Sequence, residues 1–227
     1  MGKKVFAQKE LETMGRRTLD LITEAIDAGD KDKAKSLSKR MYREFMSMHD
    51  LYRDWVTTLM TYIYETHGEE DFYNAMRRAV TTYLEPMVEQ LTKADFRRRV
   101  EFMTSGARGH GQPMVLKEDD EKVCIKCTPC GSGELQLKSG SYGPPRNFTM
   151  IQEPSVLTYG MTDFPIYCCH SPIQEQLAIE WVGEPVYVAY PAKKMAQEGC
   201  WACIYKDRKN IPDEVYKRVR MKKPRTK

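Results

Sequence analysis

Apolar side chains recur at helical spacing through the first half of the chain. The first such segment runs from Lys9 to Ala28 and is followed directly by Gly29. Its apolar positions are Leu11, Met14, Leu21, Ile22, Ala25 and Ile26. A spacing of three or four residues is typical of an amphipathic helix, and a glycine after the last apolar position is a common stop. The pattern therefore predicts one helix that ends at Gly29.

A longer helical pattern begins near Lys31 and predicts three further helices. Its apolar stripe, which includes one histidine, consists of Tyr42, Phe45, His49, Tyr52, Val56, Leu59 and Ile63. His67 followed by Gly68 is a normal helix end, so a third helix is predicted over residues 69–84. Pro86 interrupts the pattern and suits the first turn of a new helix. That fourth helix should run to the region of Gly106.

Alternating apolar and polar positions replace helical spacing in the second half. Residues 114–127 predict a β-hairpin that turns at Asp119-Asp120. Residues 131–154 are rich in Gly, Ser and Pro, which indicates a surface excursion or lid. Strands are predicted at residues 185–190 and 201–205, and a short helix near Pro212.

A capping box predicts the start of one helix in this half. In the sequence Ser171-Pro172-Ile173-Gln174, serine suits the N-cap, proline the first helical position and glutamine the third. The helix should end at Gly183.

These elements predict an α+β fold. A helical lobe, residues 1–106, should pack on a small antiparallel sheet with one crossing helix. The sheet belongs to a cysteine-rich lobe, residues 107–227, which ends in a basic tail. A chain of 227 residues that is 41% hydrophobic can bury a core without cysteine staples. We therefore expect the two lobes to form one compact unit.

The charge pattern and the N-terminus narrow the function classes. The net charge of +4 is small, and much of the excess lies after Glu214. The cations there are Lys217, Arg218, Arg220, Lys222, Lys223, Arg225 and Lys227. Without an aromatic-interleaved basic patch, a solvated tail is favoured over a nucleic-acid contact. The N-terminus lacks an apolar signal region, and no apolar run approaches the roughly 18 residues of a membrane span.

All seven cysteines lie between residues 124 and 203. An odd number of cysteines without a signal peptide argues against a secreted disulfide framework. We therefore predict a cytoplasmic protein whose cysteines are thiols or metal ligands. A thiol or metal site should lie in the C-terminal half.

Cys168, Cys169 and His170 form the strongest candidate site. They precede the predicted helix start, where unpaired amides and the helix dipole favour anions. A thiolate would be stabilised there, and a protonated histidine would lower a thiol pKa further. Ligating cysteines must also be deprotonated, so the position suits a metal as well. The alternative is that both cysteines are small buried apolar residues.

Two CxxC pairs suggest a second interpretation of the cysteines, as ligands of a structural metal site. Cys127 and Cys130, followed by Gly-Ser-Gly, resemble a zinc knuckle, and Cys200 with Cys203 could complete a Cys₄ ribbon. The long gap between the pairs weakens this interpretation. An iron–sulfur run that includes Cys124 lacks a fourth cysteine nearby. As metal ligands we favour Cys130, Cys168 and His170, with zinc or iron as the option for a cofactor.

Two further histidines have open roles. His49 lies on the apolar stripe and is either a core histidine or a group that projects into the pocket of the cysteine cluster as a ligand or general base. His110, between two glycines, is either a mobile loop residue or a pocket-lining one. No Walker loop, dinucleotide fingerprint, HExxH, GxSxG or EF-hand motif is present, which excludes the commonest nucleotide, zinc-protease and serine-hydrolase readings.

The order of elements resembles the family of L-2-amino-thiazoline-4-carboxylic acid hydrolase-like proteins, and more distantly the vinyl-4-reductase-type ligand-binding domains. The resemblance lies in the histidine-bearing helix MSMHDLYRDWVTTLMTYIYETHGEE, the hairpin VLKEDDEKVCIKCTPCGSG, the segment YCCHSPIQEQLAIEWVGEPVYVAYP and the closing strand GCWACIYKD. It spans roughly residues 10 to 210. It implies a small-molecule pocket between helices and sheet, and a homodimer as an option.

The sequence thus favours a small-molecule hydrolase or lyase that cleaves a C–N or C–S bond. In this hypothesis Cys169 or a metal-bound water attacks, His170 relays the proton with His49 as a further candidate, and the amides of residues 171–174 hold developing negative charge. One alternative is a non-catalytic domain that senses a small molecule or a metal. Another is a zinc-ribbon interaction protein whose basic tail contacts nucleic acid.

Overall fold

A computed structural model describes residues 5–224 and shows an α+β fold. The helices are α1 (Gln8–Met14), α2 (Thr18–Asp27), α3 (Lys31–Thr92), α4 (Phe96–Arg108), α5 (Gly133–Lys138), α6 (His170–Val182), α7 (Met195–Glu198) and α8 (Asp213–Arg218). The strands are β1 (Met114–Glu118), β2 (Lys122–Cys127), β3 (Met150–Ile151), β4 (Phe164–Pro165), β5 (Val188–Tyr190) and β6 (Trp201–Tyr205). Short 3₁₀ turns cover Val156–Thr158, Ile166–Cys169 and Arg208–Asn210.

The chain divides into two compact units, Met1–Tyr52 and Arg53–Lys227, and the division falls within α3. The predicted lobes at residues 1–106 and 107–227 stay a prediction.

The first unit contains two short helices where the sequence predicted one. α1 ends at Gly15, and Arg17 is extended with φ −64° and ψ 138° before α2 begins. α1 buries no residue, whereas α2 buries Leu21 and Ala25. Packing therefore fixes α2 and leaves α1 without an apolar contact that would extend it across the glycine.

α3 confirms the predicted stop at Gly68 but not the predicted break at Pro86. Gly68 has φ 84°, a left-handed conformation that glycine adopts without strain, and it interrupts the helical geometry. Pro86 lies inside the helix. Its fixed φ is compatible with a helix, and burial of Leu84 and Val88 on either side outweighs one lost hydrogen bond.

The four-stranded sheet is antiparallel throughout, in the order β1-β2-β6-β5. β1 and β2 form the predicted hairpin. In its turn the Asp119 carboxylate accepts hydrogen bonds from the amides of Glu121 and Lys122, both at 2.9 Å. α4 contacts the central strand β2, and α6 contacts the edge strand β5. β3 and β4 form a separate two-stranded sheet.

The core of the second unit gathers apolar side chains from α3, α6, α8 and the loops between them. Its most deeply buried large side chains include Phe72, Leu84, Leu157, Phe164, Ile166, Ile173 and Tyr216. The prediction of a surface excursion over residues 131–154 is wrong, because this segment forms α5 and buries Gln136, Phe148 and Ile151.

The basic tail is only partly a solvated segment. Lys217 and Arg218 belong to α8, and the partly buried Arg218 guanidinium pairs with the fully buried Glu175. Arg225 and Lys227 lie outside the described residues. No helix within residues 5–224 combines the length and apolar character that a membrane crossing requires.

Candidate functional site

Four cysteines and two histidines line one cavity of about 360 Å³ in the second unit. Its walls come from α3, α4, the start of α6 and the central strands of the sheet. The cysteines are Cys127, Cys130, Cys168 and Cys200, and the histidines are His110 and His170. The volume lies within the range of about 300–1,000 Å³ that is usual for small-molecule sites. We call this space the thiol cavity.

A buried glutamate shapes the turn that carries Cys127 and Cys130. The Glu134 carboxylate accepts a hydrogen bond from the Cys130 amide at 2.7 Å and forms an ion pair with Lys138 at 2.6 Å. Its side chain is only 4% exposed. Glu134 thus stabilises the turn at Cys130 and also lies in the first turn of α5.

The two glycines of the CGSG turn are required by close approaches to the cavity histidine and cysteine. A Cβ atom on Gly131 would lie 2.7 Å from Cβ of His110, and one on Gly133 would overlap the sulfur of Cys168. The Gly133 amide hydrogen-bonds to that sulfur. The turn Cys130-Gly-Ser-Gly therefore needs glycine at both positions, because a larger residue at either one would collide with a neighbouring side chain.

A buried arginine connects this turn to α3. Arg53 is 7% exposed, its guanidinium pairs with Asp54 at 3.1 Å, and it reaches the Gly131 carbonyl at 3.4 Å. Gln136 of α5 donates to the Thr57 hydroxyl at 2.8 Å. These polar contacts hold the cysteine turn and α5 against one face of the long helix.

The cluster at Cys168 to His170 differs from its predicted geometry at the helix start. α6 begins at His170, one residue before Ser171, and Cys169 at its N-cap already has helical angles of φ −62° and ψ −14°. α6 therefore continues directly from the preceding 3₁₀ turn. The carbonyls of that turn can pair with the first amides of the helix, which an open helix end would leave unpaired. The predicted capping box at Ser171 is wrong.

The two adjacent cysteines face different surroundings. Cys168 lines the thiol cavity, whereas Cys169 is fully buried in the apolar core of the second unit. Burial raises the pKa of both thiols well above their ordinary value. The prediction of an unusually acidic thiol here is wrong, since the cost of desolvating a thiolate exceeds any stabilisation from the helix start.

Two further cavity thiols, Cys127 and Cys200, are also neutral at pH 7. Burial raises the pKa of Cys127 to about 11, with the neighbouring Cys130 and Glu134 acting in the same direction. Burial also raises the pKa of Cys200, although the Ala192 amide opposes the shift. The cavity therefore presents thiols that need a base before they can attack.

His170 is oriented as such a base. Its Nδ1 lies 2.6 Å from the Tyr167 carbonyl oxygen. Because a carbonyl can only accept, Nδ1 carries the proton and Nε2 of the neutral ring carries a lone pair. Burial lowers the pKa of His170, so the neutral ring dominates at pH 7. This tautomer could accept a proton at Nε2 or bind a metal there.

A hydrogen-bonded chain of side chains forms the polar wall beside His170. Gln174 donates to the Tyr83 hydroxyl at 2.7 Å and accepts from the Tyr187 hydroxyl. All three line the thiol cavity. Burial raises the pKa of Tyr83, which keeps its hydroxyl protonated. The wall therefore supplies neutral polar groups.

A buried ion pair, which the sequence did not suggest, supports the far side of the cavity. Arg218 contacts both carboxylate oxygens of Glu175 at 2.7 and 2.8 Å and lies over the ring of Tyr159, a cavity residue, at 4.2 Å. Glu175 also accepts from the Ala189 amide. Burial raises the pKa of Glu175 to about 7, and Arg218 opposes that shift.

Cys124 and Cys203 form a disulfide between neighbouring strands. They are opposite each other in the register of β2 and β6, with Cα atoms 4.0 Å apart. The prediction that all cysteines are thiols or ligands is therefore wrong for these two. The Cys₄ ribbon is also wrong, because Cys203 is already bonded to Cys124.

The predicted metal ligands share the cavity without forming a metal centre in the structure. Cys130, Cys168 and His170 all line the thiol cavity. Over residues 5–224, however, no group of three or more His, Cys, Asp or Glu side chains is arranged to hold a metal ion. A zinc or iron cofactor stays a prediction.

Of the two histidines whose roles the sequence left open, one lies in the second unit and one in the first. His110 is pocket-lining, which decides between its two predicted roles. His49 belongs to the first unit, where its ring nitrogen lies 3.1 Å from the Asp50 carboxylate and its ring packs against Phe45. Its predicted catalytic role stays a prediction.

Comparison with known proteins gives no further guide to the function. No family model matches the sequence, and neither the curated proteins nor the solved structures include a match.

Proposed function

We propose that this chain is a small-molecule hydrolase or lyase that cleaves a C–N or C–S bond, with Cys168 as nucleophile and His170 as general base. The observation that carries the proposal is the 2.6 Å contact between His170 Nδ1 and the Tyr167 carbonyl, in the same cavity as Cys168. It leaves Nε2 as the proton acceptor of a neutral imidazole. A neutral thiol and a neutral, oriented imidazole that line one cavity are a suitable starting state for a base-assisted nucleophile.

The proposed reaction has two steps. His170 Nε2 takes the proton of the Cys168 thiol while the sulfur forms a bond to the electrophilic carbon of the substrate. The C–N or C–S bond then breaks, and the leaving atom takes the proton from His170. Water, deprotonated by the same ring, attacks the sulfur-bound carbon, and the Cys168 thiol is regenerated.

The proposal moves the nucleophile from Cys169 to its neighbour. Cys169 is fully enclosed by apolar side chains, so a substrate carbon has no route to its sulfur. Cys168 lines the cavity, and the Gly133 amide contacts its sulfur. That amide can also stabilise charge that develops on the sulfur during attack.

Turnover assays on adjacent variants test the proposal. L-2-amino-thiazoline-4-carboxylic acid and simple amides and thioesters are incubated with the protein, and products are read by mass spectrometry. Cys168→Ser and His170→Gln should each lower kcat at least about 100-fold, whereas Cys169→Ser should keep activity. Turnover by Cys168→Ser at the normal rate would overturn the proposal. Binding without turnover in every protein would favour the ligand-sensing alternative.

The proposal also includes the cellular compartment and the oligomeric state. A cytoplasmic protein without a nucleic-acid partner remains the expectation from the sequence, with a homodimer as an option. The Cys124–Cys203 disulfide weighs against a reducing compartment, because such bonds persist mainly in oxidising ones. Metal analysis of the purified protein decides whether zinc or iron accompanies the thiols.

A further inference from the structure

A second cavity adjoins the thiol cavity and has a different chemistry. Its volume is about 440 Å³, and it lies between the two segments of α3 and the start of α6. Met60, Phe72, Met76 and Val80 form its buried walls. Among the described residues that line it, none is Asp, Glu, Lys or Arg. We call it the apolar chamber.

The two spaces meet at a polar wall. Tyr83, His110, Ser132, His170 and Gln174 line both of them. The proposed base therefore stands at the junction, with thiols on one side and hydrocarbon on the other. A ligand that reaches Cys168 past this wall has its remaining atoms next to the apolar chamber.

We infer that the apolar chamber binds the hydrocarbon part of the same substrate whose reactive group lies in the thiol cavity. The substrate class is then an amphiphile, with a compact polar amide, thioester or related head and an alkyl or aryl tail. This inference rests on the proposed function for the position of the head. A polar tail would leave its hydrogen-bonding groups unpaired against Met60, Phe72 and Val80, which is unfavourable.

The shape of the chamber mouth agrees with a tail that enters from solvent. Val56 and Leu59, which line the chamber, are 45% and 50% exposed, whereas Phe72 and Val80 are at most 1% exposed. The chamber thus deepens from an open apolar rim to a closed apolar end. A longer tail would cover the rim as well and would gain more from burial.

The test uses N-alkylmaleimides with ethyl, butyl and hexyl tails, which share one thiol-reactive head. The rate of labelling at Cys168 is read by peptide mass spectrometry. A fully buried methylene contributes about four-fold in binding, so the hexyl reagent should label Cys168 at least about ten-fold faster than the ethyl reagent. Glutathione, which has no chamber, gives the intrinsic rates of the reagents.

A matched pair of tryptophan variants locates the effect. Ala75 lines the chamber, so Ala75→Trp should fill it and bring the hexyl-to-ethyl ratio back to that of glutathione. Asn74, one residue earlier on the same helix, is exposed and does not line either cavity. Asn74→Trp should keep the ratio. Labelling by the ethyl reagent should be similar in all three proteins.

The outcomes separate this inference from the proposed function. Equal rates for all tail lengths, or a ratio that Ala75→Trp leaves unchanged, would overturn the inference while leaving Cys168 reactive. If Cys168 is not labelled at all, the proposed function fails, and NMR titration with unreactive N-alkylsuccinimides still decides whether affinity rises with tail length. A dimer that Ala75→Trp converts to monomer, with no tail dependence, would assign the chamber to a second copy of the chain.

Discussion

The sulfur of Cys168 lies against the backbone of Gly133, where it occupies the space that a Cβ atom would need, and the Gly133 amide hydrogen-bonds to it. This contact joins the turn after β2 to the turn before α6. Two cysteine-bearing segments that are far apart in the sequence therefore meet at one backbone group.

Gly133→Ala should disturb both segments. The added methyl group must displace the Cys168 sulfur, and overpacking of this kind costs about 1–3 kcal/mol in the free energy of unfolding. Chemical denaturation measures this cost. In Gly143→Ala the methyl would have only an ordinary contact at 3.6 Å, so stability should change by no more than about 0.5 kcal/mol. A double variant with Cys168→Ala should recover part of the loss, and strict additivity of the two changes would contradict the contact.

The disulfide between Cys124 and Cys203 should contribute strongly to stability. Replacing both cysteines by serine removes a covalent link between two positions 79 residues apart, so the unfolded chain gains conformational freedom. The free energy of unfolding should fall by roughly 2–5 kcal/mol. Reductant should lower the melting temperature of the parent protein and leave the double variant unchanged. Thiol titration of the denatured, unreduced protein should count five thiols. A count of seven would show that the bond is absent.

The buried Glu175 should make stability depend on pH near neutrality. Its folded pKa is about 7, above the ordinary value of 4.5, so the folded state binds the proton more tightly than the unfolded state. Stability from this group is present below about pH 4.5 and is lost as the pH rises towards 7. The loss should be on the order of 2–3 kcal/mol. Denaturation between pH 4.5 and 8 measures it.

Glu175→Gln provides the control for that slope. The amide keeps the shape of the side chain and does not titrate, so the variant should show a flatter stability profile over the same pH range. At pH 8 it should be at least as stable as the parent, because the raised pKa means that burial disfavours the carboxylate by more than Arg218 stabilises it. An identical slope in both proteins would assign the pH dependence to other groups.

The sequence predicted those parts of the fold that depend on local signals. Gly68, Gly183 and the Asp119 turn lie at their predicted positions because each relies on backbone conformation or on a neighbouring amide. Local signals do not place Pro86 inside a helix, because the burial of Leu84 and Val88, which outweighs the lost hydrogen bond, is a tertiary effect.

The site was predictable in composition but not in arrangement. Which of Cys168 and Cys169 faces the cavity depends on the local helical geometry, and α6 starts two residues earlier than predicted. The pairing of Cys124 with Cys203 depends on the register of β2 and β6, which no local pattern reveals. Glu175 belongs to the predicted crossing helix and Arg218 to the predicted solvated tail, and neither prediction brings the two side chains together. A single cation within an acid-free basic run gives no signal that it is buried.

The central claim is that His170 activates Cys168. The most direct measurement is the rate of Cys168 alkylation by iodoacetamide at pH 7.5, read by peptide mass spectrometry in the parent protein and in His170→Gln, with Cys169 in the same digest as an internal control. If His170 Nε2 takes the thiol proton, the parent rate should exceed the variant rate by about 100-fold, while Cys169 stays slow in both. Equal Cys168 rates in the two proteins would contradict the account.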